Sequence, residues 1–224
     1  MDLSYLILVV PTLLLSMWAQ FMVKSTFTKY SKVQCSQGIT GVAAASLLMR
    51  VNNINDVKVE AVSGSLTDHY DPSSKKLRLS EPVYGSASIA AVGVAAHETG
   101  HAIQHAVKWG PLALRSTLVP AANIGSSMGP ILAAAGLALS FPVLFNVGII
   151  LFSGAVLFYV ITLPVEFNAS SRAIAILRSN NVLTAEELKG VKKVLSAAAM
   201  TYVASALTAI ANLLRLILLS KRRR

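Results

Sequence analysis

The sequence is poor in cysteine, in charge and in acidic residues. Its single cysteine, Cys35, excludes an intrachain disulfide and a thiolate metal cluster, so a zinc site would need histidine and carboxylate ligands. Charged residues make up only 13% of the 224 residues, against 54% hydrophobic ones, which excludes a disordered tail and argues against an ordinary soluble domain. The mean hydropathy of +0.60 indicates more apolar surface than one small core can bury, so lipid must cover the rest.

Basic residues outnumber acidic ones, 20 Lys and Arg against 10 Asp and Glu, for a net charge of +10. They are scattered at the ends of apolar segments and are not interleaved with aromatics, as a nucleic-acid surface would require. We interpret them as topology determinants and contacts to lipid headgroups, and we expect no nucleic-acid partner.

The first apolar run, from Tyr5 to Val23, carries no charge and fits one membrane-spanning helix, which Pro11 should kink. No basic residue precedes it and no Ala-x-Ala-like site closes it, which favours a retained anchor over a signal peptide. Lys24, Lys29 and Lys32 follow the run, so the positive-inside rule places the N-terminus outside.

A second apolar region lies between Arg115 and Arg172, where the sequence contains no Lys or Arg and a single acid, Glu166. Two spans fit there, at about 118–139 and 143–163, with a tight turn at residues 140–142. Both ends of this transmembrane hairpin should return to the cytoplasm.

The remaining segments predict a small mixed region. Residues 38–50 resemble a short helix, and from Val57 an alternating pattern predicts a β-hairpin with a turn at residues 71–74. Thr184 and Glu187 form a capping box at the start of a helix. The apolar stretch 194–220 is expected to pack in the catalytic region and then become interfacial or re-entrant, because a full crossing would place Lys221 and the arginines after it outside.

The strongest motif lies in residues 95–105, AAHETGHAIQH, on a predicted helix over 86–107. His97 and His101 are four residues apart, so both lie on one helix face about 6 Å apart along the axis and can reach one ion. Glu98 can then reach a water on that ion and accept its proton. The alternative, a helix with solvated histidines, explains poorly why three of the four histidines fall within nine positions of an apolar helix.

A catalytic zinc usually has three protein ligands, so one more is needed. His105 lies about 12 Å along the helix from His97 and cannot share its ion. The long metzincin pattern is missing, since Gln104 and Val107 occupy its glycine and third-histidine positions. Glu166, an ionisable group in an apolar stretch, is the leading candidate, with a plain interfacial glutamate as the alternative.

Four segments, AAHETGHAIQH, LTDHYDPSSKKLRLSEPVYGS, PLALR and LPVEFNASSRA, resemble the YugP-like neutral zinc metallopeptidases of bacterial membranes, in order over nearly the whole chain. The arrangement is also similar to the broader HtpX and CAAX-protease type of membrane gluzincin. The resemblance implies one Zn²⁺ held by His97, His101 and Glu166, with Glu98 as base. The family pattern has Asp where this chain has Asn168, so a group that orients a ligand histidine would be an uncharged amide here.

The resemblance also suggests where substrate binds. In gluzincins an edge strand pairs with substrate backbone, and Leu77 to Ser80, including Leu79, is the candidate here, with an ordinary hairpin strand as the alternative. His69, Tyr70 and Tyr202 are candidate donors to the oxyanion, although a structural role is the favoured interpretation of each.

These inferences predict a mostly α integral membrane protein with a zincin-like catalytic region, a small β-hairpin or sheet and three to four transmembrane helices. We expect an anchor at 1–24, a catalytic region at 25–117, a transmembrane hairpin at 118–163, and a third-ligand helix followed by apolar helices at 164–224. The site should face the cytoplasm at the cell membrane.

The predicted function is zinc-dependent hydrolysis of peptide bonds in peptides or unfolded membrane proteins. One alternative is an intramembrane site-2-type protease in which the histidine helix itself crosses the bilayer, but that class needs a later Asp and none follows Asp71. Another is a catalytically silent metal-binding or scaffold protein, against which the presence of Glu98 argues. The sequence predicts no oligomeric state.

Overall fold

A computed structural model describes residues 3–222. Near the start of the described chain, a π-helical turn, Tyr5–Val9, leads directly into the first α-helix. The elements that follow are α1 (Val10–Tyr30), α2 (Gly41–Val51), β1 (Lys58–Val62), β2 (His69–Asp71), β3 (Lys76–Ser80), α3 (Glu81–Tyr84), α4 (Ile89–Ala106), α5 (Gly110–Ala138), α6 (Pro142–Ser179) and α7 (Ala185–Arg222).

The chain divides into two compact units. The first, called the helical unit below, contains the chain up to Gln20, the segment Pro111–Val165 and the chain from Met200 onward. The second, called the sheet unit, contains Phe21–Gly110 and Glu166–Ala199. The long helices α6 and α7 each contribute residues to both units.

The sheet unit contains a three-stranded sheet in the order β1-β3-β2. β2 and β3 form the predicted antiparallel hairpin, and Asp71 closes its turn by accepting hydrogen bonds from the backbone N–H groups of Ser73 (2.9 Å) and Ser74 (3.3 Å). β1 runs parallel to β3. The alternating sequence therefore predicted the strands and the turn correctly.

The central position of β3 overturns one prediction. Leu77 to Ser80 was expected to form an unpaired edge for substrate, but β3 pairs with β1 on one side and β2 on the other. The backbone N–H of Ser80 donates to the Asp68 carboxylate at 2.7 Å, and Leu77 and Leu79 are fully buried. Both leucines therefore belong to the hydrophobic core and are not available to a substrate.

Helix α4 is the central helix of the sheet unit. It begins after Ser88, whose Oγ accepts a hydrogen bond from the backbone N–H of Ala91 at 3.2 Å and so caps the helix. Small residues on α4 permit close packing, since a Cβ placed on Gly93 would lie 3.1 Å from Cγ1 of Val191. Its neighbours in the core include the fully buried Leu48, Leu77, Leu79, Val83, Leu177 and Val191.

The described residues include four helical segments long and apolar enough to cross a membrane. They are Tyr5–Tyr30, Gly110–Ala138, Pro142–Ser179 and Ala185–Lys221. The turn predicted between the second and third is present, since Ser140 adopts a left-handed conformation (φ 53°) and Pro142 begins α6. Proline at a helix start loses no bond, because the first N–H groups have no partner in the helix.

The kink expected at Pro11 stays a prediction, but the helix type changes next to this residue. Proline has no N–H, so the α-helical bond to the carbonyl of Ile7 cannot form. The chain is π-helical just before Pro11. There the N–H of Val10 bonds to the carbonyl of Tyr5, five residues earlier, and not to the carbonyl four residues earlier as in an α-helix.

Helix α7 corrects a second expectation. The predicted capping box is present: the backbone N–H of Thr184 donates to Glu187 Oε2 at 2.7 Å, and that of Glu187 to Thr184 Oγ1 at 3.3 Å. From there the helix continues unbroken to Arg222. A re-entrant segment needs a turn within the membrane, so the unbroken helix contradicts the re-entrant alternative for 194–220, whereas the interfacial alternative stays a prediction. The helix is also long enough to span.

Candidate metal centre

The two motif histidines lie together on α4, as their spacing predicted. Their ring centroids are 4.8 Å apart and the rings are nearly perpendicular. His101 is buried and His97 is partly buried. One helix face therefore presents two imidazoles toward the same point.

Glu166, on α6, meets both histidines. Its Oε2 lies 3.2 Å from Nε2 of His97 and 3.6 Å from Nε2 of His101, and the residue is only 2% exposed. The three possible ligand atoms all lie within 4.8 Å of one another. The structure thus brings together the three residues that the sequence analysis chose as ligands.

These distances can be tested against zinc geometry. Two metal–ligand bonds of about 2.1 Å that meet at a tetrahedral angle separate their ligand atoms by about 3.4 Å. The two observed nitrogen-to-oxygen distances lie on either side of that value. Two imidazoles and a carboxylate are also a donor set that zinc enzymes use, so the residues fit the metal.

Small residues allow α4 and α6 to approach closely enough for this arrangement. A Cβ placed on Gly100 would lie 2.6 Å from the backbone oxygen of Ala169, well inside contact distance. Gly100 lies just before His101, and Ala169 lies three residues after Glu166. The absence of a side chain at Gly100 therefore sets the distance between the histidines and the glutamate.

The outer nitrogen of each histidine has a partner of its own. Nδ1 of His97 lies 3.1 Å from Oγ of Ser170, and Nδ1 of His101 lies 3.0 Å from Oε1 of Gln104. Such partners orient an imidazole so that Nε2 is free to bind metal. Neither role was predicted from the sequence. Gln104 is three residues after His101 on the same helix, which was the available signal.

Asn168 also takes part in these contacts. Its Oδ1 accepts hydrogen bonds from Nε2 of Gln104 at 3.0 Å and from Nε of Arg172 at 2.7 Å. It does not contact a histidine directly in any hydrogen bond described here, and its link to His101 runs through Gln104. Asn168 thus reaches His101 through one intervening side chain, that of Gln104.

Charge in this site favours a cation. Burial alone would lower the pKa of His101, but hydrogen bonding to Glu166 and the nearby charge of Glu98 outweigh it and raise that pKa above its usual value. The same carboxylates that stabilise a proton on the imidazole would stabilise a divalent metal. Glu98 is itself 8% exposed, next to His97 on the buried part of α4.

The other candidate residues lie in different surroundings. The hydroxyl of Tyr70 lies 2.7 Å from Nδ1 of His105, and burial together with Asp56 and Asp71 raises the pKa of Tyr70 to about 12. Tyr70 is therefore a neutral hydroxyl near neutral pH. His69 is exposed on β2.

Tyr202 lies on α7. A contact between substrate and His69, Tyr70 or Tyr202 stays a prediction. His105 is not one of the three clustered ligands.

Comparison with known proteins agrees with this chemistry. Residues 5–221 match the model of a family described as "Putative neutral zinc metallopeptidase". A Bacillus subtilis (strain 168) protein named "Putative membrane protease YugP" is 51% identical over 215 residues, which covers 96% of each chain. No solved structure matches the chain.

Proposed function

The chain belongs to the neutral zinc metallopeptidase family, and from that premise we propose that it cleaves peptide bonds at the cluster of His97, His101 and Glu166. Nε2 of each histidine and one carboxylate oxygen of Glu166 would hold a single zinc ion. Zinc, when bound, would acidify a water molecule and polarise the substrate carbonyl.

Glu98 supplies the proton transfers in this proposal. It follows a ligand histidine directly, so its carboxylate can accept a proton from the attacking water without being a ligand itself. It can then deliver that proton to the nitrogen of the leaving amine. Burial of the site limits access of bulk water, which strengthens these charge interactions.

The observation that carries the proposal is the meeting of Glu166 with the two motif histidines across helices α4 and α6. Burying two imidazoles and a carboxylate together costs folding free energy, so such a cluster indicates a functional site. A catalytically silent metal site would need the three ligands but not Glu98.

The direct experiment combines metal analysis with an activity assay. Purified full-length protein in detergent should contain about one zinc per chain and cleave casein or an unfolded membrane protein. A chelator should abolish cleavage and added zinc should restore it. Zinc without cleavage would favour the metal-binding or scaffold alternative, and absence of zinc would exclude the proposed site.

The site-2-type alternative requires α4 to cross the bilayer. Helix α4 is not among the four candidate spans found in residues 3–222, and it belongs to the sheet unit with α2 and the strands. We therefore propose cleavage of segments that reach the site from outside the hydrocarbon region.

The sheet has an outer strand that could take such a segment. β2 forms one edge of the sheet, and its Tyr70 contacts His105 on the histidine helix. An extended peptide could pair with an edge strand through backbone hydrogen bonds, with little dependence on its side chains.

We further propose that the site faces the cytoplasm. If each of the four candidate spans crosses once, the segment from α1 to α5 and the segment from α6 to α7 share one side. These segments and the adjoining helix ends carry most of the basic residues near the spans, namely Lys24, Lys29, Lys32, Lys108, Arg115, Arg172, Arg178, Lys189, Lys192 and Lys193. The opposite side has Lys221 and the three arginines after it, so the overall bias favours a cytoplasmic site.

Reporter fusions test this topology. Fusions after residue 32 and after residue 181 should read cytoplasmic, and fusions at Ser140 and at the C-terminus should read external. A cytoplasmic C-terminus would show that α7 does not cross, and an external reading at residue 32 would invert the arrangement.

A further inference from the structure

A chain of hydrogen bonds leads from His101 to a charged side chain outside the ligand set. Nδ1 of His101 lies 3.0 Å from Oε1 of Gln104, and Nε2 of Gln104 lies 3.0 Å from Oδ1 of Asn168. The same Oδ1 lies 2.7 Å from Nε of Arg172. All four residues belong to the sheet unit, and Gln104 is fully buried.

The last member of this chain determines the direction of every bond in it. The guanidinium of Arg172 can only donate, so the Asn168 atom facing it must be the amide oxygen. Because Gln104 contacts that same oxygen, Gln104 must present its amide N–H₂ there. Its other end, Oε1, then faces His101 and can only accept.

A partner that only accepts requires a hydrogen on the histidine nitrogen that faces it. The neutral imidazole of His101 must therefore carry its proton on Nδ1, which leaves the lone pair on Nε2, the atom that faces Glu166. The opposite tautomer would place a hydrogen where the metal has to bind.

We propose that Arg172, Asn168 and Gln104 are positioning residues that form a directional relay and hold His101 in the Nδ1–H tautomer needed to bind zinc. The proposal rests on the zinc site proposed above. It goes beyond that site because it assigns the metal affinity of a histidine on α4 partly to an arginine on α6.

His97 lacks such a relay in the contacts described. Its Nδ1 faces the hydroxyl of Ser170, which can donate or accept and so imposes no tautomer by itself. The two ligand histidines are thus held differently, and the relay should act on His101 specifically.

Asn168 makes the relay depend on Arg172. An amide can turn around and present either N–H₂ or oxygen, and Arg172 decides which. An aspartate at this position could only accept when ionised, so it would impose the same direction without help. This predicts a specific rescue: Asn168→Asp should compensate for loss of Arg172.

The experiment measures zinc affinity of full-length protein in detergent by competition with a chromogenic chelator. Arg172→Met should weaken zinc binding by roughly ten- to a hundredfold, the range seen when partners of metal ligands are lost. Asn168→Asp in that background should restore most of the loss, while the same change beside Arg172 should have a much smaller effect. Gln104→Met, similar in volume, should weaken binding and should not be rescued by Asn168→Asp, because it removes the link between them.

A second measurement reads the tautomer itself. Nitrogen-15 spectra of the labelled histidine rings, taken on metal-free protein at a pH where they are neutral, should show His101 protonated on Nδ1 in the wild type and in the Arg172→Met/Asn168→Asp protein. Arg172→Met alone should show a mixture of tautomers. Recording the Ser170→Ala protein alongside identifies the His97 signal.

Each outcome separates the relay from the zinc proposal. Wild-type affinity in Arg172→Met, or a double variant as weak as the single one, would overturn the relay and leave the zinc site standing. A wild type that binds no zinc would overturn the proposed function, and the metal-free spectra would still decide whether Arg172 sets the tautomer of His101.

Discussion

The sheet unit and the helical unit bury different kinds of residue. In the sheet unit, leucines and valines such as Leu48, Leu77 and Val92 are completely covered by protein. In the helical unit, side chains of the same size face outward, and Leu14 and Ile150 are 60% and 71% exposed. The first pattern is that of a water-soluble domain, and the second is that of helices surrounded by lipid.

The two units are therefore stabilised by different forces. Burial of apolar side chains away from water drives the packing of the sheet unit. Lipid tails are as apolar as leucine, so the helical unit gains little from burying leucine and relies on close backbone approach instead. Gly125 is an example, since a Cβ there would lie within hard contact of the Leu151 backbone oxygen.

The largest effect is expected from Glu98→Gln in the sheet unit. This substitution tests whether peptide cleavage depends on the Glu98 carboxylate. The change keeps the shape and removes the base, so cleavage should fall by about 10²–10⁴-fold while zinc content stays near one per chain. Casein cleavage and elemental analysis measure the two quantities. Glu186→Gln, at an exposed glutamate on α7, is the matched control. Substantial activity in Glu98→Gln would refute the mechanism.

Next in size is the loss of a ligand. Glu166→Ala removes one of three ligand atoms and should lose zinc and activity together, because two histidines alone hold zinc weakly. His105→Ala, on the same helix as the other ligands but outside the cluster, should retain zinc. Elemental analysis after dialysis measures both. The reverse result would assign the third ligand to His105.

The third prediction compares the same Leu→Ala substitution in the two units by its effect on the free energy of unfolding. Leu77→Ala should lower the free energy of unfolding by about 2–5 kcal/mol, because it opens a cavity in a buried core. Leu14→Ala should change it by less than about 0.5 kcal/mol, because lipid can fill the space. Denaturation of the detergent-solubilised protein measures both. Equal costs would contradict the view that the units are stabilised differently.

The smallest expected effects come from two glycines of the helical unit. Gly125→Ala should destabilise by about 1–3 kcal/mol, since the new methyl group collides with the backbone of Leu151. Gly154→Ala should be neutral or stabilising by about 0.5–1 kcal/mol, because no atom lies within 4 Å and alanine favours the helix. The same denaturation assay compares them, and similar effects at both positions would argue against packing through Gly125.

Local features were predictable wherever neighbouring residues determine the structure. The capping box of Thr184 and Glu187, the turn before Pro142 and the shared face of His97 and His101 all follow from backbone geometry over a few residues. Even Glu166 could be chosen, because a lone ionisable residue in an apolar stretch needs a reason to be there.

Long-range features were not predictable in the same way. Alternation identified β3 as a strand but could not show that it lies between β1 and β2, since strand order depends on pairing across the fold. The charge of the C-terminus suggested that the end of α7 is interfacial or re-entrant, whereas the helix is unbroken to Arg222 and leaves no turn for re-entry. Charge patterns report on topology and say little about where a helix ends.

The membrane class, the helix that carries His97, Glu98 and His101, and the chemistry that those residue types can perform were all recognisable without the fold. Which side chains hold them in place depends on how α4 packs against α6. Gln104 can accept from His101 in a defined direction because Gly100 lets α6 approach, which brings Asn168 and Arg172 within hydrogen-bonding distance. Helical periodicity acts over a few residues, whereas a hydrogen bond between helices exists only once the packing has set the distance.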